Sequence, residues 1–241
     1  MRIDKVPTGD NPPESLNVII EVPTGGEPVK YEFDKDSGAL YVDRILHTPM
    51  RYPANYGFVP HTLSPDGDPL DALVIARSPF IPGCVVRARP IGVLNLEDEH
   101  GGDEKLICVP IDTTFPYYSD VAETKDLPSI IFQQIEHFFT HYKDLEAEKW
   151  VRVGEWGDAA EAKRNVAACV KAVAGLLGNT AAVCRGSYIH PLVLESYEQG
   201  ALPLKPGRSA RAFELAVIRF LEAAQASYGG DLGNAERGPS V

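Results

Sequence analysis

Cysteine is scarce. Cys84, Cys108, Cys169 and Cys184 are the only four in 241 residues, and no two of them stand as a CxxC pair. Their wide spacing argues against a disulfide frame or a zinc knuckle and fits a reducing cytoplasm. An excess of positive charge is also missing. The formal net charge is −11, which argues against nucleic acid or an anionic membrane as partners held by a general basic surface. No run approaches the ~20 uninterrupted apolar residues that a membrane span needs, and the most apolar helix-like stretch, 165–184, is broken by Lys171. The opening, 1–13, is polar and proline-rich, unlike a signal peptide. There is no G-x-x-x-x-G-K-[ST] loop, no G-x-G-x-x-G turn and no G-x-S-x-G elbow, so a P-loop triphosphatase, a dinucleotide-binding turn and acyl transfer all lack support.

What is present is an ordinary globular composition, 44% hydrophobic and 24% charged, on a chain long enough for one large domain or a domain with an appendage. The first half reads as β. Strands are expected at 16–22, at 29–34, where Val29, Tyr31 and Phe33 alternate with Lys30, Glu32 and Asp34, and at 40–46 after the Asp36-Ser37-Gly38 turn. Period two puts Lys30 and Glu32 side by side on one face. A short buried strand follows at 72–76, and strands at 85–96 and 105–111 flank a Gly101-Gly102 hairpin. Six or so short strands with Gly/Pro turns suggest a closed or partly closed barrel.

The second half reads as helix. Asp126 and Pro128 mark a start, and Ile131, Ile135, Phe138, Tyr142 and Leu145 recur at spacings of four and three. A second helix is expected from about Asp158 to Leu177. Residues 178–241 differ in character: six basic and six acidic residues cancel there, so the acidic excess belongs to the first 177. This extension is broken by Pro191, Pro203 and Pro206 before an expected helix over 209–227, whose stripe is Phe213, Val217, Phe220, Leu221 and Ala224, and it ends in a loose tail.

The densest chemistry is Asp66-Gly67-Asp68-Pro69-Leu70-Asp71, three carboxylates in one tight turn ahead of a strand. Like charges so close raise the cost of ionising one another. Hard oxygen donors suit Mg²⁺, Mn²⁺ or Ca²⁺, and Mg²⁺ commonly shares its shell with water and substrate phosphates. Alone, such a turn is more simply a solvated acidic loop. Its company changes the reading. Asp98 and Asp103 lie across the later hairpin, with Glu21 and Glu32 on early strands. Lys30, Arg44, Lys105 and Lys143 interleave with them, and Tyr52, Tyr56 and Tyr142 add aromatic hydroxyls. Singly, each has a plain explanation: cross-strand ion pairs for Glu21, Lys30 and Glu32, turn chemistry for Asp98 and Asp103, core packing for Tyr142, a solvated helix charge for Lys143, and a loop with aromatic anchors for 51–57. Together they ask for divalent cations and a small, highly charged polyanion such as a phosphate chain, attacked in line by a water that two metals ionise.

At this point the chain resembles the soluble family I inorganic pyrophosphatases, of bacterial type with a C-terminal extension. Their D-x-D-P-x-D signature is matched by Asp66 to Asp71, and the likeness runs from about Asn17 to Leu177. It takes in VKYEFDKDSGALYVDR (29–44), YPANYGFVPHTLSPDGDPLDALV (52–74), the Asp98/Asp103/Lys105 segment and HFFTHYKDLE (137–146). The resemblance implies an α+β, mainly β architecture: an OB-like, closed five-stranded barrel with flanking strands and two helices packed outside. It implies a catalytic domain over 1–177 that cleaves pyrophosphate with several Mg²⁺ per site, Mn²⁺ or Zn²⁺ being possible substitutes, in a homo-oligomer that is generally a hexamer among bacterial members. By the same resemblance Asp66, Asp71 and Asp103 hold the metals present before substrate. Asp98, with Asp103, takes a further one, and Glu21 and Glu32 assist at the edge. Asp68 is the general base. Lys30 and Arg44 neutralise one phosphoryl group and Tyr56, Tyr142 and Lys143 the other, while Lys105 tunes the carboxylates and Tyr52 supports the pocket.

Other readings fit less well. An EF-hand needs Gly at the sixth position and Glu at the twelfth, where this chain has Asp71 and Arg77. An oligonucleotide-binding barrel wants a basic groove with stacking aromatics, not concentrated carboxylates. His137 and His141 stand one helical turn apart, as zinc ligands can, but no Glu follows the first His as a metalloprotease requires, and surface or packing roles suit them better.

Overall fold

The computed structural model describes residues 2–34, 37–99 and 101–176. In chain order the elements are β1 (Leu16–Val22), β2 (Val29–Phe33), β3 (Leu40–Ile45), β4 (Asn55–Phe58), β5 (Asp71–Val74), β6 (Val85–Asp98), β7 (Gly101–Pro110), α1 (Ser129–His141), β8 (Val151–Asp158) and α2 (Ala159–Leu176). The expected extension, 178–241, and its helix over 209–227 lie outside the described residues.

Five strands close a ring. β1 pairs with β4, β4 with β5, β5 runs parallel to β7, β7 pairs with β6, and β6 returns to β1. This is the expected OB-like barrel, mainly β, with both helices outside it. The closing strand is β6, and its length explains how it closes. Val85 to Ala88 pair with β1, whereas Gly92 to Asp98 pair with β8 on the same edge. Pro90, which has no N–H to give a ladder, sits where the β6–β7 register shifts, between Pro90 and Gly92. A bulge there bends the strand and lets one edge serve two partners. β2 and β3 form a separate hairpin.

Period two sorts the core. Ala72 and Val74 on β5, with Leu106 and Cys108 on β7, join a cluster completed by Ala162, Val166, Cys169 and Val170 of α2. Their alternates Leu73, Ile107 and Val109 join a second cluster with Ile135, Phe138 and Phe139 of α1. Each helix therefore covers one set of strand side chains, and most of its stability comes from that burial rather than from propensity.

Four readings of the sequence need correction. Residues 51–57 are not only a loop: Asn55–Phe58 is the barrel strand β4, fully buried. Gly57 permits it, because a Cβ there would lie 1.9 Å from the Ile19 carbonyl oxygen of β1. Strand β8 was not expected at all. Gly101 and Gly102 do not form the turn but open β7, Gly101 pairing with Asp98 at φ +119°. Finally α1 ends at His141, so Tyr142 is its C-cap and Leu145 is exposed rather than part of the stripe.

Candidate active site

The acidic turn is built by local hydrogen bonds. Asp66 Oδ1 accepts from the Asp68 N–H at 3.0 Å, and Gly67 supplies the φ of +93° between them. The Thr62 hydroxyl donates to the Val59 carbonyl and accepts from the Leu70 N–H. The loop thus delivers Asp71 to the first position of β5, while Asp66 and Asp68 stay exposed. Parallel pairing sets Asp71 beside Lys105 on β7, and period two brings Asp103 to the same side as Lys105.

The result is a tight cluster. Lys105, 5% exposed, donates to both Asp71 and Asp103, and the Tyr56 hydroxyl donates to Asp71 Oδ2 at 2.5 Å. Burial alone would lower the Lys105 pKa, but the two carboxylates outweigh it and hold the ammonium charged. Burial raises the Asp103 pKa, with Lys105 opposing and Asp71 reinforcing the shift. Burial, then the Asp71 charge, drives the Tyr56 hydroxyl well above its ordinary range, so it remains a donor.

A second wall comes from β1 and the β2–β3 hairpin. Glu21 is buried and accepts from the Phe33 N–H at 2.9 Å, which ties the hairpin to the barrel. Lys30 faces Arg44 across the hairpin, with its ammonium 3.4 Å from Glu32 and 3.3 Å from Asp43. Burial would lower the Lys30 pKa, but Asp43 and Glu32 overcome it and raise it. The third wall follows α1. Tyr142 is buried and stacks on Phe138 with ring centroids 5.0 Å apart. Lys143, also buried, donates to Asp98 Oδ2 at 3.0 Å and to Glu99 Oε2 at 3.2 Å. Tyr52 backs the wall, packed on Tyr56 and Phe138 at 5.2 and 4.6 Å.

Every metal, substrate and general-base residue expected from the sequence lines one cleft of about 570 Å³, in which eight carboxylates face five cationic side chains. The sequence reading missed Glu99, which anchors Lys143, Asp43, which anchors Lys30, and Phe139 and Lys149, which line the same cleft. Among the described residues, no three His, Cys, Asp or Glu side chains converge at metal-ligand spacing; the Lys105 ammonium takes the place between Asp71 and Asp103. The donor set nonetheless suits a hard divalent ion. Its donors are carboxylate oxygens, they outnumber the fixed cations, and burial has raised the pKa of Asp103 and Glu21, so added positive charge stabilises them. His137 and His141 lie outside this cleft, and His141 pairs with Asp144 at 2.8 Å.

Glu21 yields a pH prediction. Burial pushes its carboxyl from 4.5 up to about 8, partly opposed by the Phe33 N–H. The folded chain therefore holds this proton more tightly than the unfolded chain. Stability falls as pH rises through that interval, the usual sign for a raised carboxyl pKa. Glu21→Gln in EDTA is expected to raise stability at pH 9 by on the order of 2–5 kcal/mol and to change little near pH 4, where Glu21 is already neutral. Thermal melts at the two pH values check this; an equal change at both would contradict it.

Residues 18–174 match the family model described as inorganic pyrophosphatase. The protein named inorganic pyrophosphatase from Brucella melitensis is 55% identical over 175 residues, 73% of this chain and 99% of that one. Its namesake from Mesorhizobium japonicum is 58% identical over 166 residues, 69% of this chain and 94% of that one. Among solved structures, inorganic pyrophosphatase from Thermus thermophilus superposes with a TM-score of 0.68 at 43% identity, covering 72% of this chain and 99% of that one. An inorganic phosphatase from Anaplasma phagocytophilum gives 0.69 at 49% identity, covering 70% and 99%.

Proposed function

This chain belongs to the inorganic pyrophosphatase family, and from that premise we propose that its cleft hydrolyses inorganic pyrophosphate to two orthophosphates with Mg²⁺ as cofactor and Asp68 as general base. The observation that carries the reading is the convergence, in one cleft, of carboxylates from β1, β2, the 66–71 turn and the β6–β7 hairpin with cations from the β2–β3 hairpin, β7 and the segment after α1.

Asp66, Asp71 and Asp103 would hold cations resident before substrate, Asp98 with Asp103 a further one, and Glu21 and Glu32 would complete its edge. Bound there, divalent cations would supply Lewis-acid charge and lower the pKa of bound water. The side chains do the rest. Asp68 accepts a proton from the attacking water as its oxygen bonds to phosphorus. The bridging P–O bond breaks, and its electron pair leaves with the second phosphate. Lys30 and Arg44 neutralise one phosphoryl group. Lys143 and the Tyr142 hydroxyl donate to the other, and the Tyr56 hydroxyl joins them by turning its one proton from Asp71 to the substrate; burial raises the pKa of both hydroxyls and keeps them donors. The Lys105 ammonium donates to Asp71 and Asp103 and so offsets their charge side by side, and Tyr52 packs on Tyr56.

The test is phosphate release from pyrophosphate with and without Mg²⁺, with Mn²⁺ and Zn²⁺ as substitutes and ATP as a comparison substrate. Release that requires a divalent ion and favours pyrophosphate is expected; metal-independent release, or none, would contradict the proposal. We place the activity within 1–177. The family match ends at 174 and no assigned group lies beyond Lys143, so truncation after Leu177 is expected to retain turnover at saturating Mg²⁺. Loss of turnover in a monodisperse truncated protein would assign the extension a part in the site. Among the described residues no helix is long and apolar enough to cross a membrane, and Cys84, Cys108 and Cys169 are free thiols, which supports a cytoplasmic setting. Exposure of Tyr41, Val42 and Ile45 along β3 and of Ile81 supports assembly as a homo-oligomer, a hexamer by family resemblance.

A further inference from the structure

We propose that Glu146, which has no part in the mechanism above, is a positioning residue that aims Arg44 at the substrate. The inference rests on the pyrophosphatase reading of the cleft and deepens it. Arg44 reaches the cleft from β3. Its Nε lies 3.4 Å from Glu146 Oε1, and the Glu146 side chain is 6% exposed. Both atoms are buried, and among the described residues neither has a hydrogen-bond partner. Two opposite charges thus face each other in a desolvated place without the geometry of a full bond. Closing that gap makes a charge-assisted bond, and widening it strands both. Arg44 is otherwise loosely held, since its NH1 lies 3.7 Å from Asp43, beyond hydrogen-bonding distance. Use of Nε by Glu146 therefore leaves the terminal nitrogens of the guanidinium for a phosphoryl group.

The carboxylate is itself fixed. The Glu146 N–H donates to the Lys143 carbonyl at 2.8 Å, and its Oε2 pairs with Lys149 at 3.2 Å. The residues after β3 are strapped to the same segment: Thr48 Oγ1 donates to the Tyr142 carbonyl at 3.3 Å, and His47 Nδ1 lies 3.1 Å from the Leu145 carbonyl. Glu146 thus couples the wall that carries Arg44 to the wall that carries Tyr142 and Lys143. These walls grip opposite ends of the substrate, so their spacing sets the length of phosphate chain the cleft accepts.

A double-mutant cycle on the full chain tests this, with kcat and KM for pyrophosphate read separately. Glu146→Gln is expected to lower kcat/KM by about tenfold, mostly through KM, because the carboxylate charge that faces the Arg44 guanidinium is removed. In an Arg44→Ala background the same change is expected to alter kcat/KM by less than about twofold, since the group it aims is gone. Glu146→Asp, which keeps the charge on a shorter arm, is expected to fall between, and the Kd of methylenediphosphonate to rise in parallel with KM. Thermal melts check folding; if Glu146→Gln unfolds, the Glu146→Asp cycle reads the same coupling. An undiminished kcat/KM in the Gln variant, or a full loss multiplied onto Arg44→Ala, would overturn the positioning role while wild-type turnover upholds the pyrophosphatase reading. Wild-type protein inert toward pyrophosphate overturns that reading, and the inference with it.

Discussion

Asp68→Asn is expected to lower kcat for pyrophosphate by about 10²–10⁴-fold while the fold stays intact. The substitution removes a proton acceptor and keeps the shape. Asp68 is exposed at the tip of the 66–71 turn, and its backbone N–H, which bonds Asp66, is unaffected. An exposed, isosteric change of this kind leaves the buried core as it was, so thermal melts of variant and parent are expected to coincide. KM is expected to move far less than kcat, because an acceptor used during bond formation contributes to the transition state rather than to binding. Parental turnover in the Asn variant would show that another group takes the proton.

The second large effect concerns stability. Lys105 is buried between Asp71 and Asp103, and its ammonium donates to both. Lys105→Met keeps much of the volume and deletes the charge, leaving two carboxylates uncompensated beside the Tyr56 hydroxyl. In EDTA at pH 7 this is expected to cost about 3–5 kcal/mol, the scale for removing one partner of a buried ion pair. The loss is expected to shrink as pH falls, because protonated carboxyls no longer repel. It is also expected to shrink on adding Mg²⁺, which supplies positive charge to the same donors. Chemical denaturation with and without the metal reads both effects. Equal stability of parent and variant in EDTA would mean that the cluster does not need its ammonium.

Much of this site was legible because its logic is local. Three carboxylates in six residues, a two-residue period carrying Lys30 and Glu32, and the order of the later Asp and Lys positions all follow from chain sequence alone. The number of short strands and their turns made a closed or partly closed barrel legible, and the family resemblance implied its closure on five strands. What was hidden depends on tertiary partners. Asn55, with Pro53 before it and Gly57 after it, reads as loop chemistry. In the fold its amide oxygen accepts from the Thr24 and Phe80 N–H groups, and its amide nitrogen donates to the Val74 and Ser78 carbonyls. A buried polar side chain thus pins a strand that polarity alone would assign to the surface. Strand β8 was not legible because, among the described strands, it pairs with β6 alone, and it carries Gly154 and Gly157, which weaken any strand pattern. Leu145 extended the apolar stripe by spacing, yet α1 stops one residue before Tyr142 and turns Leu145 outward. Nothing in the sequence singles out Glu146; only packing encloses its side chain beside Arg44.

The claim on which the account rests is that separated carboxylates share divalent ions within this one cleft. Diffraction from crystals grown with Mn²⁺ and methylenediphosphonate, measured for anomalous signal, tests it most directly. Peaks are expected within ordinary ligand distance of the Asp66, Asp71 and Asp103 oxygens, with a further peak beside Asp98. A diphosphonate bound in the cleft with no peak near those three carboxylates would contradict it.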